Sequence, residues 1–178
     1  MFDDPAREAW QKPAEIIAAM RVSPGMTVAD VGAGTGYFEP YLSRAVGPGG
    51  VVFAVDVEPD MVRYLRERAS QEKLDNVRPL LADADDPKLA AHGVDRVLLV
   101  DTWHHIPGRD AYLPKLRAAL KQGGTITFVE FTLDSPQGPP REHRITPEVL
   151  AAEVRQAGLS AERVEITLPY QYVVVARP

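Results

Sequence analysis

The chain has 178 residues, 45% of them hydrophobic, which suffices for one α/β unit with a substantial core and is too short for a second. A net charge of −5 with no basic run argues against a broad nucleic-acid footprint, and no apolar run approaches the roughly 20 residues that cross a bilayer. Cysteine is absent, which removes disulfides, thiolate metal sites and cysteine nucleophiles together.

The first residues, Met1-Phe2-Asp3-Asp4-Pro5, lack a basic segment followed by an apolar one, so the reading is a cytoplasmic protein without a secretory signal. Residues 6–21 predict short helical turns interrupted near Pro13, with Ile16, Ile17 and Met20 on an apolar face. The first strand, Thr27–Val31, runs into Gly32-Ala33-Gly34-Thr35-Gly36. Glycine lets a chain fold sharply at a strand end and lie against a ligand where a side chain would collide. A dinucleotide fingerprint would place a small residue where the sequence continues with Tyr37-Phe38, so phosphate cradling is disfavoured. Asp30, two residues before Gly32, is placed to meet an ammonium group directly or through water and would repel a pyrophosphate.

A helix over residues 36–46 is stopped by Gly47 and Pro48. Strand two, residues 51–55, is closed by Asp56 twenty residues after Gly36, with Val57 beside it; an acid there can accept hydrogen bonds from both hydroxyls of a ribose. Pro59 opens the next helix, Pro59–Gln71, in which Met61, Leu65 and Ala69 repeat as core while Arg63, Arg66 and Arg68 form a solvated face. Strand three, Val77–Leu81, leads to Ala82-Asp83-Ala84, where a carboxylate beside a backbone N–H can read adenine. Asp85 and Asp86 favour the start of a short helix over residues 87–91, and His92 is a surface residue. The nearly continuous apolar strand Val94–Val100 suggests a parallel sheet covered on both faces.

These strand ends together describe a pocket for an adenosine that carries an amino acid. Here the chain resembles the class I S-adenosylmethionine-dependent methyltransferases, and within them a group of small bacterial enzymes similar to those of quinone biosynthesis. Gly32, Gly34 and Gly36 look like the family's glycine motif, Asp56 like its ribose acid, Asp83 like its adenine-side acid and Asp101 like the residue ending its fourth strand. Leu120-Lys121-Gln122-Gly123-Gly124 looks like its turn before strand five, with Gln122 in place of the usual proline. The likeness runs from about Gly25 to the C-terminus. It implies S-adenosylmethionine as cofactor and a small-molecule methyl acceptor as partner. The expected fold is α/β, one doubly wound, mostly parallel seven-stranded sheet of order 3-2-1-4-5-7-6 with the last strand antiparallel. The expected organisation is a single unit over residues 1–178. Residues 1–24 form a helical lid in which Trp10 and Gln11 lie over the cofactor, and residues 25–178 form the core. The plainer alternative is that Trp10 only packs its helix onto the sheet.

Beyond strand four, residues 109–120 predict a helix with Leu113, Leu116 and Leu120 on one side, then a strand over residues 125–131. Thr146 caps a further helix whose first position is Pro147 and which ends at Gly158. Strands over residues 162–168 and 171–176, joined through Pro169-Tyr170, should pair as a hairpin.

In such a sheet the ligand lies beyond the strand ends where strand order reverses, which brings Asp30 to Gly36, Asp56, Asp83 and Asp101-Thr102-Trp103-His104-His105 around one cleft. Methyl transfer from a sulfonium is an in-line displacement that needs alignment, exclusion of water and, for a protonated acceptor, a base. His104 is the candidate base and His143, in the loop before the last helix, a second catalytic candidate. A loop histidine bonded only to backbone is the bland alternative. His143 with His104 and an acid such as Glu130 or Asp101 would suit a metal, but the spacing has no ligand signature and no metal is expected. The Asn/Asp-Pro-Pro-Tyr/Phe element of amine-modifying relatives is missing, so an oxygen, sulfur, carbon or metalloid acceptor is favoured over a base amine. A non-catalytic binding module and a dinucleotide oxidoreductase stay open as alternatives, and the chain is read as a monomer or homodimer.

Overall fold

The computed structural model describes residues 6–178, so the leader reading of residues 1–5 lies outside the described residues. Seven strands form one sheet in the order β3-β2-β1-β4-β5-β7-β6. They are β1 (Thr27–Val31), β2 (Val51–Asp56), β3 (Val77–Leu81), β4 (Val94–Val100), β5 (Leu120–Phe131), β6 (Ser160–Val164) and β7 (Gln171–Arg177). β3, β2, β1, β4 and β5 run parallel, and β7 enters antiparallel to both β5 and β6.

Alternation along the strands divides two cores. Val28, Leu98, Val129, Val173 and Val175 face one side, where Ile16, Leu42 and Leu65 cover them. These come from α2 (Pro13–Met20), α3 (Glu39–Val46) and α4 (Pro59–Gln71). Ala29, Val97, Leu99, Ile126, Phe128 and Val174 face the other, beneath Leu113, Leu116, Leu150 and Val154 of α5 (Arg109–Ala119) and α6 (Pro147–Gln156). Because β-strand side chains point to opposite faces in turn, a strand apolar on both faces requires both layers of helix. The Thr146 hydroxyl caps α6 by accepting from the Val149 N–H, as expected. Among the described residues no helix is long and apolar enough to cross a membrane.

Four elements differ from expectation. The first is the segment 87–91, which forms no helix. Lys88 and His92 both hold left-handed φ angles, and the Asp86 carboxylate accepts the Lys88 N–H two residues on, closing a local turn. Five residues offer too little propagation to offset helix nucleation against that competitor. Second, α3 starts at Glu39 rather than at Gly36, whose φ of 83° is not helical. Third, β5 begins at Leu120, which pairs with Val94, while the next pairing is Arg96 with Thr125, so the glycine turn is an irregularity inside the strand. Fourth, β6 is shorter and lies earlier than expected; its pairing with β7 is antiparallel as predicted, but residues 165–170 link them.

Candidate active site

The turn after β1 is fixed from below. Val55 O accepts the N–H groups of Gly32 and Ala33 at 2.8 and 3.0 Å, and Thr35 O accepts from Arg68 Nη1 at 2.8 Å. Arg68 is therefore not part of the solvated face expected for α4; it also pairs with Glu72 at 2.8 Å. Gly32, at φ 80°, has no room for a side chain, since an added Cβ would lie 2.3 Å from Thr102 Oγ1. That contact locks the loops after β1 and β4 together at the point where strand order reverses. Gly34 is the opposite case: at φ 56° its Cβ position meets nothing within 4 Å, leaving its backbone open to an approaching ligand.

Asp56, at the end of β2, accepts Gly34 N–H on one oxygen at 2.8 Å and Glu58 N–H on the other at 3.0 Å. Each oxygen retains a lone pair for a further donor, so the carboxylate is held and still usable. Next to it Val57 is 46% exposed, and Leu81, the residue paired with Asp56 across the sheet, is equally exposed. Asp83 and Ala84 follow in the open. Asp83 is drawn to Lys88, with Nζ at 2.6 Å. An exposed apolar shelf flanked by a carboxylate is what the flat face and polar edge of a purine need.

Deeper in, Asp30, Glu39 and Glu130 are buried and Asp101 is half-buried. Burial pushes the Asp30 carboxyl up to about 7 against the pull of a hydrogen bond with Glu39 and of Arg7. Glu39 is likewise raised well above the usual carboxylate range by burial and by the charge of Asp30. Asp101, in left-handed backbone at φ 54°, is also raised to about 7 by burial and by Glu130, while Gln171 Nε2 donates to it at 2.7 Å. Gln171 Oε1 in turn accepts from Gln11 Nε2 at 3.1 Å, and Arg7 donates to Gln11, so a hydrogen-bond chain runs from α1 (Arg7–Gln11) to the end of β4. Trp10 packs against Phe131 and Tyr170 with ring centroids 5.9 and 5.8 Å away.

A single 3-10 turn, Trp103–His105, sorts the residues after β4. Trp103 does not face the cleft as expected: it is wholly buried in the core against Phe128, with its indole N–H donated to Glu153 at 2.8 Å. His104 turns back toward β5. Its Nδ1 lies 2.7 Å from Glu130 Oε2, and both side chains are only 2% exposed. The exposed His105 leans against it, with ring centroids 4.0 Å apart and planes tilted by 44°, and its basicity is lowered by partial burial and by His104. His143 lies on the exposed turn Arg141–His143, near enough to His105 to act on its charge. Among the described residues no group of three His, Asp or Glu side chains is arranged to hold a metal.

Comparison with known proteins decides the class. Residues 28–124, just over half of the chain, match the methyltransferase domain family. The chain belongs to the class I methyltransferases. A SAM-dependent methyltransferase from Aquifex aeolicus superposes with a TM-score of 0.93 at 30% identity, covering 98% of this chain and 93% of that one. The ubiquinone/menaquinone biosynthesis C-methyltransferase of Burkholderia cenocepacia is 33% identical over 125 residues, 70% of this chain. The chain spans half the length of that curated relative. An S-adenosylmethionine-dependent methyltransferase from Mesorhizobium loti, 16% identical with a TM-score of 0.77, shares the fold. This methyltransferase therefore uses S-adenosylmethionine, and over 125 residues it is similar to the quinone-biosynthesis C-methyltransferases.

The residues present fit that cofactor. Gly34 is open, Asp56 keeps accepting capacity, Val57 and Leu81 are bare, and Asp30 offers a buried carboxyl for a cation. Sequence reasoning passed over Glu39, Gln171, Arg7 and the role of Arg68. Glu39 at a helix start reads as an ordinary acid favoured by the helix dipole, and nothing in its neighbours signals burial. From sequence Glu130 reads only as a metal partner, whereas in the structure it supports His104.

Proposed function

We propose that this methyltransferase moves the methyl group onto a small-molecule acceptor by in-line displacement, with His104 taking the acceptor's proton. The observation that carries the reading is the 2.7 Å contact between His104 Nδ1 and Glu130 Oε2 inside the protein. A carboxylate on Nδ1 holds that nitrogen as the N–H donor, leaves Nε2 as the free base, and stabilises the imidazolium formed when a proton is taken. S-adenosylmethionine supplies an electrophilic methyl group on a sulfonium. The chain's own part is to hold, align and deprotonate. In this reading Asp30 meets the methionyl ammonium, Gly32, Gly34 and Gly36 pass close beneath the amino-acid portion, and Asp56 takes the ribose hydroxyls. Val57, Asp83 and Ala84 bracket the adenine, and Asp101 with its Gln171 bond shapes the floor near the reacting centre. His143, at the rim with His105, orients the acceptor.

Of the expected lid segment 1–24, the described residues 6–24 act as a lid over the core of residues 25–178, supported by the hydrogen-bond chain through Gln11 and Gln171 to Asp101. The acceptor class is an electron-rich ring carbon or oxygen, supported by the C-methyltransferase relatives and by the missing amine-specific element. Action in the cytoplasm on a free small molecule, as monomer or homodimer, belongs to the same reading, and the net charge of −5 speaks against a nucleic-acid acceptor. The test is turnover with reduced benzoquinone- and naphthoquinone-type rings, followed as release of S-adenosylhomocysteine. His104→Ala should lower kcat about 100-fold or more while cofactor affinity stays unchanged. Equal turnover in His104→Ala removes the assignment.

A further inference from the structure

Two carboxyl groups lie under the glycine turn, one from β1 and one from the first turn of α3. Asp30 is 3% exposed and Glu39 2%. Both Glu39 oxygens are shut off from solvent and neither has a donor in good hydrogen-bond geometry, although the residue's own backbone N–H is near enough to favour the charged form weakly against burial and the charge of Asp30. Glu39 Oε2 lies immediately below the turn, 3.2 Å from where a Cβ on Gly36 would stand. A carboxylate in that position, ionised and without a well-placed donor, would be costly, and the cost is removed if the group keeps its proton. It then becomes a donor, and Asp30 is the acceptor it interacts with. Among the described residues, the charged groups that face the pair from other elements are Arg7 of α1 and Asp56 of β2, acting on Asp30, and Arg68 of α4, acting on Glu39. Among the described residues Arg68 bonds Thr35 O and Glu72, and no hydrogen bond from it reaches Glu39. Two close carboxyl groups in a dry site cannot both ionise, which leaves the pair one negative charge to offer.

We propose that Glu39 is a neutral acid at physiological pH and a positioning residue, whose hydrogen bond aims the Asp30 carboxylate at the ammonium group of the cofactor's methionyl tail. This rests on the cofactor placement proposed above. It makes a single anion of the pair, matched to a single cation, and it explains why a glutamate at a helix start is turned inward rather than left in water.

The experiment compares two ligands by calorimetry: S-adenosylhomocysteine, and 5′-methylthioadenosine, which keeps the nucleoside but has no ammonium group. Glu39→Gln, a neutral donor of the same length, should bind S-adenosylhomocysteine within about twofold of the wild type, whereas Glu39→Ala should bind it roughly tenfold or more weakly. Binding of 5′-methylthioadenosine should be the same in all three proteins. The infrared carbonyl stretch of a protonated carboxylic acid, seen in the ligand-free wild type at about pH 8, should lose one component in Glu39→Gln. Equal weakening of both ligands in Glu39→Ala, or no weakening of either, overturns the proposal. So does an infrared spectrum unchanged by Glu39→Gln, and that measurement decides the matter if Glu39→Ala does not fold. Wild-type protein that binds 5′-methylthioadenosine but shows no preference for the ammonium-bearing ligand overturns the placement of the methionyl tail itself, while the infrared result still reports whether Glu39 is neutral.

Discussion

Asp101 ties the stability of the ligand-free protein to pH. Its carboxyl is raised from an ordinary 3.8 to about 7, chiefly by burial and then by the neighbouring Glu130 charge. A group whose folded pKa lies above its unfolded value stays protonated in the native state while the unfolded chain has already released its proton. Its contribution to stability is thus fully present below about pH 4 and is lost as pH rises through about 7. A shift of about 3 units corresponds to roughly 4 kcal/mol as an upper bound, since local relaxation and water entry reduce it. The variant to make is Asp101→Asn. Asparagine keeps an oxygen for the Gln171 Nε2 donor now at 2.7 Å, and it tolerates the left-handed φ of 54° better than most residues. Urea unfolding between about pH 5 and pH 8 should show wild-type stability falling with rising pH, with a markedly shallower slope in Asp101→Asn. Asp30, raised in the same direction, sets part of the slope that persists in the variant. Parallel curves for the two proteins would refute the assignment of a buried, proton-holding Asp101.

Gly32→Ala combines left-handed strain of about 1–2 kcal/mol with overpacking of about 1–3 kcal/mol against Thr102, so urea unfolding should show a loss of roughly 2–5 kcal/mol. Thr102→Gly in the same chain should restore only the packing part, and a double-mutant cycle measures that coupling. Trp10→Ala removes the ring held between Phe131 and Tyr170 and should weaken S-adenosylhomocysteine binding about tenfold by calorimetry if the α1 segment is a lid; unchanged affinity would leave Trp10 a packing residue only.

The strand order was legible through the family resemblance, and the places where ligand-facing loops leave the sheet were legible because they follow from short-range rules. Glycine at Gly32 and Gly34 reports positive φ, an acid after β2 reports a ribose partner, and an apolar run such as Val94–Val100 reports helices on both faces. What was not legible depends on contacts between residues far apart in the chain. Glu130 sits next to the end of an apolar strand, and the sequence suggests it beside His104 only as a metal partner, not as the direct support of that ring 26 residues away. Gln171 reaches Asp101 across 70 residues and Gln11 across 160, distances at which no periodicity speaks. Arg68 belongs to a helix face that is otherwise solvated, and only the approach of the glycine turn gives it a carbonyl to hold. Segment 87–91 shows the converse: acids beside a proline suit a helix start, but an aspartate bonding its own backbone stopped the turn first.

β7, the last of the seven strands in chain order, is laid between β5 and β6, and its first residue supplies the amide that secures Asp101. Synthesis delivers β7 after the other six strands, so the nascent polypeptide carries its glycine loop and most of its acids before the β5 edge of the sheet is covered. Capacity to work thus arrives late and all at once, and a chain broken off before Gln171 would present an open β5 edge to its neighbours instead of a catalyst.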